Sequence, residues 1–449
     1  MAKRNTQPNV IVFFTDQQRW DTTGAHGNPL GLTPNFDRMA ATGTHLYHSF
    51  TCQPVCGPAR SALQTGLYPT TTGCFRNSIP LPEGTKTLAH YFREAGYKTG
   101  YIGKWHLAGE NPVTEPKRGG YEYWLASNAL ERTSDAYDTV VFDNDNERVK
   151  LPGYRVDALT DAAIRYVDRH QDEPFFLFVS YLEPHHQNHR DDYPAPDVYA
   201  NAFTSRWTPP DLAALGGTSA QHLDGYYGMV KRLDEALGRV FDALKSLALT
   251  DDTIVLFTSD HGNHFKTRNG EYKRSCHESS IRVPTAFTGP GFTSRGQIRE
   301  LVSLIDLPPT LLDAAGLPVP ASMQGRSILP LLRRETADWP EDVFVQISEA
   351  QTGRAIRTQR WKYSVSAPDS TRNSASSDTY AEEFLYDLQA DPYELTNLIG
   401  YQSHQSTADV LRQRLLRRMA EAGEAPAEII AAEEKKSGQR RVTEQETRH

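Results

Sequence analysis

Val10-Ile11-Val12-Phe13-Phe14 is an unbroken branched and aromatic run that ends abruptly in Thr15-Asp16-Gln17. A strand buried on both faces reads as such a run, and the polar residues after it stand at its carboxyl end. Ile254-Val255-Leu256-Phe257 followed by Thr258-Ser259-Asp260-His261-Gly262 repeats the design, and Phe175 to Val179 running into Ser180-Tyr181-Leu182-Glu183-Pro184-His185 is a third case. Between them, apolar residues recur at helical spacing over Phe36 to Thr42, Leu88 to Ala95, Asp157 to Arg169 and Leu223 to Leu247. Strands alternating with helices predict a doubly wound, mostly parallel α/β sheet, whose ligands bind off the carboxyl ends of its strands.

The pattern changes around Pro330 to Trp339. Val343 to Ile347, Ala355 to Arg357, Trp361 to Val365 and Phe384 to Asp387 are short β-like runs that predict a small antiparallel sheet. Ala367 to Thr379 is rich in Ser, Asn and Asp and reads as a mobile loop, and the polar Glu433 to His449 as a frayed tail. At 449 residues the chain exceeds what one core supports. The expected division is an α/β domain over 1–335 and a smaller unit over 336–449 with the antiparallel sheet, a helix and the tail.

Composition adds exclusions. A net charge of −8 without a dense Lys/Arg stripe argues against a nucleic-acid partner. No apolar run approaches the ~20 residues that span a bilayer. The start, Met1 to Asn9, lacks the apolar core of a secretory signal, so a cytoplasmic location is expected. The four cysteines, Cys52, Cys56, Cys74 and Cys276, have no paired metal-site spacing and fit a reducing compartment without disulfides.

Candidate chemistry sits at the strand ends. If the strands carrying Asp16-Gln17 and Asp260-His261 are neighbours, two carboxylates, an amide and an imidazole converge, a set for a hard divalent cation such as Ca²⁺ or Mg²⁺, with Mn²⁺ admitted by the histidine. Either aspartate alone could equally cap a helix. Gly103-Lys104-Trp105-His106 places an ammonium and an imidazole on one face if extended. Pro184-His185-His186-Gln187-Asn188-His189 clusters three histidines, and Lys273 follows Asp260 closely. Cys56-Gly57-Pro58-Ala59-Arg60 puts a cysteine in a Cys-x-Pro-x-Arg setting that suits no ordinary structural use.

These segments occur in the order in which they occur in the type I, formylglycine-dependent sulfatases of the alkaline-phosphatase-like superfamily, which the chain resembles. Thr33-Pro34-Asn35-Phe36-Asp37, Arg282-Val283-Pro284, Asp306-Leu307-Pro308-Pro309-Thr310, Gly325-Arg326-Ser327, Arg357 to Tyr363 and Leu385-Tyr386-Asp387-Leu388 extend the resemblance over roughly four fifths of the sequence. Two positions depart from the commonest pattern: Gln17 replaces a second Asp and His261 an Asn. Both variants resemble choline sulfatases and phosphonate monoester hydrolases as much as aryl sulfatases.

The resemblance implies hydrolysis of a sulfate monoester. Cys56 would be oxidised by a maturase to formylglycine, whose hydrate attacks sulfur beside one divalent cation, Ca²⁺ before Mg²⁺ or Mn²⁺, held by Asp16, Gln17, residue 56, Asp260 and His261. Arg60 and Lys104 would hold the hydrate, Lys273 would offset sulfuryl charge, His185 would protonate the leaving oxygen, and His106 would act as base in the second step. The alternatives are a phosphonate monoester or phosphodiester hydrolase, an aryl or choline-type sulfatase, and a non-catalytic binder of sulfated glycans. Loops Glu110 to Tyr154 and Gln187 to Thr218 mix Tyr121, Tyr123, Trp124 and Trp207 with Glu131, Arg132, Arg190, Asp191 and Asp192, a polar and aromatic wall that suits a carbohydrate sulfate. The oligomeric state stays open.

Overall fold

The computed structural model describes residues 7–335, 338–436 and 442–448. Among them, β1 (Asn9–Thr15), β2 (Thr44–Phe50), β3 (Lys98–Lys104), β4 (Tyr123–Ser127), β5 (Thr139–Phe142), β6 (Arg148–Leu151), β7 (Phe175–Ser180), β8 (Thr253–Ser259), β9 (Ala286–Thr288) and β10 (Gly296–Ser303) form one sheet in the order β10-β2-β9-β8-β1-β7-β3-β4-β5-β6. The central β8, β1, β7, β3 and β4 are parallel to one another, as are β10 and β2. Short β9 runs antiparallel between β2 and β8, and the β5–β6 hairpin closes the other edge.

Period-two alternation sorts the central strands onto two cores. Val10, Val12 and Phe14 share one face with Phe176, Phe178, Ile254 and Leu256. Helix α2 (Cys56–Thr65) and the helices Leu88–Glu94 and Leu307–Ala314 cover that face through Ala59, Leu63, Phe92 and Leu311. Ile11 and Phe13 point the other way, with Leu177, Val179, Val255 and Phe257. There α1 (Pro34–Thr42) and the helices Arg155–Arg169 and Ser219–Ser246 supply Phe36, Leu159 and Leu237. All four helices and three strands expected from periodicity are present, with ends shifted by a few residues. The registers Thr15 with Ser259, Phe14 with Ser180 and Gly103 with Ser180 level the carboxyl ends of β8, β1, β7 and β3 along one rim.

β11 (Asp342–Ile347), β12 (Gly353–Thr358), β13 (Trp361–Ser366), β14 (Thr379–Asp387) and β15 (Glu428–Ile430) form the second sheet. It is antiparallel except for β15, which joins β14 in parallel, a pairing the sequence pattern does not predict. Phe344, Ile356, Tyr363 and Leu385 pack against helix Gln405–Glu421. Val343, Val345 and Ala355 pack instead on Phe50, Cys276, Ile281 and Leu301 of the first unit. The division expected at 335/336 meets Thr336 and Ala337, which lie outside the described residues.

The expectation of a frayed tail is corrected where the tail is described; residues 437–441 and 449 lie outside that set. Val442 is buried in the core of the small unit and its N–H donates to the Ser403 carbonyl at 3.1 Å, while Trp361 Nε1 donates to the Glu446 carbonyl at 3.4 Å. One apolar side chain and a few satisfied backbone groups anchor a segment whose composition is otherwise polar. Among the described residues no helix is long and apolar enough to cross a membrane.

A buried ionic cluster ties the two units. Glu278 accepts from Lys362 at 2.8 Å and faces Arg357 at 3.3 Å, and Lys362 also pairs with Glu394 at 2.8 Å. Removing one member of a buried cluster leaves uncompensated charge. Lys362→Ala is therefore expected to lower the unfolding free energy by about 3–5 kcal/mol; chemical denaturation checks this, and a loss under ~1 kcal/mol would show that the cluster does not join the units.

Candidate active site

The Cys-x-Pro-x-Arg segment is the first turn of α2. Pro58 has no N–H to donate, which costs nothing in a first turn. Gly57 donates its N–H to Asn77 Oδ1 at 2.9 Å. A Cβ on Gly57 would lie 3.0 Å from that oxygen and 3.4 Å from the His106 carbonyl, so a side chain here would require Asn77 to shift by a few tenths of an ångström. Cys56 and Arg60, four residues apart, share one helix face. Gly66, with φ +71°, ends the helix.

That face is aimed at the rim of the parallel strands. Arg60 Nη2 donates to Asp16 Oδ2 at 2.9 Å and to Asp260 Oδ2 at 3.2 Å, and Nη1 donates to the Lys104 carbonyl and Ser180 Oγ. Lys104 Nζ lies 2.8 Å from Asp16 Oδ2 and 3.2 Å from Glu131 Oε1. Lys273 Nζ stands 2.8 Å from Cys56 Sγ, 3.1 Å from His185 Nε2 and 3.4 Å from Gln17 Oε1. His261 Nε2 is 3.3 Å from Cys56 Sγ, and the side chains of His106 and His185 also reach the thiol. Every sequence-predicted site residue therefore gathers around Cys56.

The charges respond to one another. Burial pushes the Cys56 thiol up, but Lys104, Lys273 and His261 outweigh it and hold the group well below an ordinary thiol. Burial likewise opposes ionisation of Asp16, and Lys104, His185 and Arg60 overcome it, so this carboxyl sits below its usual range. Asp260 is raised by burial and by the charge of Asp16. His185 is lowered by burial and by Lys273. Its Nδ1 faces the His186 carbonyl at 2.7 Å, so Nδ1 carries the proton and Nε2 accepts from Lys273.

Asp16, Cys56, Asp260 and His261 are all buried, and their ligand atoms lie within 4.8 Å of one another, a group that could hold a metal ion. His261 Nδ1 faces the Gly262 carbonyl at 2.9 Å, which leaves the Nε2 lone pair turned inward, the orientation a ligating histidine takes. Gln17 turns Oε1 toward Lys273, while its Nε2 faces Tyr193 Oη at 3.3 Å. The donor set fits a hard divalent cation.

Three expectations are corrected. The backbone is not extended through His106, whose φ is +60°; the turn itself brings Lys104 and His106 to the same centre. Tyr121 and Trp124 do not line a pocket mouth but fill the core with Tyr101 and Phe178, because β4 is an interior strand of the sheet. Glu131 is buried against Lys104 rather than set in a solvated wall. Cys52 is a free thiol in the core and does not bridge Cys56. Sequence reasoning missed Asn77 and Ser180 as supports. Ser180 could have been found as the polar residue closing the third apolar run; Asn77 carries no such signal.

Residue 56 is buried, ringed by cationic side chains and faced by two carboxylates. The sulfatase family model matches residues 8–317, and the model for the C-terminal part of N-sulphoglucosamine sulphohydrolase matches residues 270–421. The chain belongs to the sulfatase family of the alkaline-phosphatase-like superfamily and is a sulfuric ester hydrolase. It is 30% identical over 442 residues to an ulvan-active sulfatase of Formosa agariphila, covering 93% of this chain and 82% of that protein. An N-acetylglucosamine-6-O-sulfatase of Bacteroides thetaiotaomicron is 24% identical over 489 residues, covering 91% and 86%. A solved structure in complex with its substrate D-glucosamine-2-N,6-O-disulfate superposes with a TM-score of 0.77 at 24% identity, covering 93% of this chain and 98% of that one.

Proposed function

We propose that the sulfate ester is carried by a carbohydrate and is cleaved at formylglycine formed from Cys56, beside one divalent cation. The observation that carries this reading is the ring of Lys104, Lys273, His106 and His185 around residue 56, on the side of α2 that faces Asp16, Asp260 and His261. The names of two relatives, an ulvan-active sulfatase and an N-acetylglucosamine-6-O-sulfatase, favour a sugar. Formylglycine would supply a hydrated aldehyde, a carbon bearing two hydroxyls, so that sulfate can depart by C–O cleavage where a serine would stay esterified. A cation held by Asp16, Asp260, His261 and the Gln17 amide, Ca²⁺ or otherwise Mg²⁺ or Mn²⁺, would supply Lewis-acid stabilisation of developing charge.

The residues of the chain divide the rest of the work. Lys273 offsets the negative charge of the sulfuryl oxygens, and Lys104 with Arg60 holds the hydrate of residue 56. The Lys273 and His185 pair, already joined at 3.1 Å, delivers a proton to the leaving oxygen. His106 takes a proton from residue 56 in the step that frees sulfate. Arg60 keeps Asp16 and Asp260 at fixed separation and excludes them from direct contact with an incoming anion.

A desulfation screen over sulfated mono- and oligosaccharides, aryl sulfates and phosphonate esters tests the substrate class; turnover of phosphonate esters with no turnover of any sulfated sugar would overturn it. In protein made with the maturase, mass spectrometry of the Cys56 peptide is expected to show aldehyde in place of thiol, and a fully active enzyme with an intact thiol would refute the chemistry. Chelation is expected to abolish activity and Asp16→Ala to abolish calorimetric binding of the divalent cation, while Gln17→Ala weakens it.

The two histidines separate by leaving group. His185→Ala is expected to slow esters of poor leaving groups by about 10²–10⁴-fold and activated aryl sulfates far less. His106→Ala should slow all esters to one common rate, because its step follows departure of the alcohol. Rates over a series of graded leaving-group pKa decide between them, and equal slopes in the two variants would show the roles to be misassigned.

A further inference from the structure

Glu131 is the third buried carboxylate of the site, and no part of the scheme above uses it. Only 6% of the residue is exposed. Its Oε1 lies 3.2 Å from the ammonium of Lys104, which is itself 0% exposed and shared with Asp16. Its Oε2 is shielded from solvent and has no hydrogen-bond partner. His106, two residues beyond Lys104, has a buried Nδ1 that also lacks a partner, while its ring reaches Cys56. Orphaned buried polar atoms are rare and costly, about 1–3 kcal/mol each. The two unpartnered atoms belong to residues that act on each other electrostatically.

The backbone brings them there. Trp105 and His106 donate their N–H groups to the carbonyls of Ser127 at 2.9 Å and Asn128 at 2.7 Å, which clamps the turn at His106 onto the segment leading into Glu131. Gln187 Nε2 donates to the Glu131 carbonyl at 2.9 Å, fixing the same residue to the loop that carries His185. Glu131 is also held ionised: burial opposes it, but Lys104 and then His106 and His185 outweigh burial and bring its pKa down to about 2.

We propose that Glu131 is a positioning residue for the reaction: it anchors Lys104 on one oxygen and, with the other, accepts the Nδ1–H of His106 across one bridging water. A single buried water with two polar partners of this kind is the usual way such atoms are satisfied. The bond fixes the tautomer. With Nδ1 protonated, the Nε2 lone pair of His106 is turned to residue 56 and free to take the proton. A carboxylate can only accept here, whereas an amide at 131 would donate and favour the opposite tautomer, which has no lone pair at Nε2. The proposal rests on His106 being the base assigned above.

Glu131→Gln tests it in the full-length enzyme. The expected result is a fall in kcat of about 10²-fold or more with KM changed less than threefold, and Glu131→Asp, which keeps the acceptor, recovering at least a tenth of the lost rate. In a His106→Ala background the Glu131→Gln change should cost less than twofold, since the residue acts through that imidazole. Nitrogen-15 NMR of the histidine rings should show His106 with its proton on Nδ1 in the parent and on Nε2 in Glu131→Gln. That readout needs no turnover, so it stands even if the substrate reading fails. An unchanged kcat, a loss that persists in full without His106, or an unchanged tautomer would each overturn the proposal. If Glu131→Gln does not fold, Glu131→Ala takes its place, in which loss of the Nδ1–H preference of His106 supports the proposal and an unchanged tautomer overturns it.

Discussion

Everything at the rim of the large sheet depends on the guanidinium of Arg60. Asp16 and Asp260 close adjacent parallel strands in matched register, so two carboxylates are brought together in a buried rim. Like charges at this spacing in a poorly screened interior repel strongly. Arg60, planar and always charged, spans both and spends its other nitrogen on the Lys104 carbonyl and Ser180. A lysine could neutralise the pair but could not fix four strands at once. The same fork holds α2 against β1, β3, β7 and β8, and so sets where residue 56 stands.

The charge balance extends outward from that fork. Asp16, Asp260 and Glu131, together with a Cys56 thiol held well below its ordinary range, lie among Arg60, Lys104 and Lys273 within a buried volume. A cation added to such a set would meet two carboxylates already shared, and an anionic ester would meet two ammonium groups close to residue 56. Pairing of this kind keeps the buried charges tolerable while leaving each sign of ligand an attractive partner.

The C-terminal unit is bound into this arrangement rather than appended to it. Glu349 accepts from Asn77 N–H at 2.6 Å and from Arg274 at 2.7 Å, and so grips both the residue that caps Gly57 and the neighbour of Lys273. Lys362 and Arg357 hold Glu278, at the start of a short helix whose Ser280 carbonyl accepts the Gly262 N–H at 2.7 Å, next to His261. A Cβ on Gly262 would meet the Ser279 carbonyl at 2.1 Å, so only glycine lets the carboxyl end of β8 pass so close to that helix. Two carboxylates and three cations thus carry the placement of the small sheet to Lys273, α2 and His261.

The alternation of buried runs with polar ends was enough to predict the parallel strands, the helices between them and the convergence of Asp16 with Asp260, because period and burial are local properties of the chain. Cys56, Arg60, Lys104, His185 and Lys273 were legible as a set through their ordered motifs. The tertiary structure alone decided the rest. Trp124 and Tyr121 look like pocket-wall residues in a sequence, and only the position of β4 inside the sheet turns them into core. The fate of Val442 depended on an opening in a distant core, and that of β15 on the free edge of β14. Glu131 reads as one more loop carboxylate until the clamp between 105–106 and 127–128 carries it to Lys104. Local pattern fixes what a segment is; which partner it meets is set by long-range packing, where residues tens to hundreds of positions apart must satisfy one another's charge and hydrogen bonds.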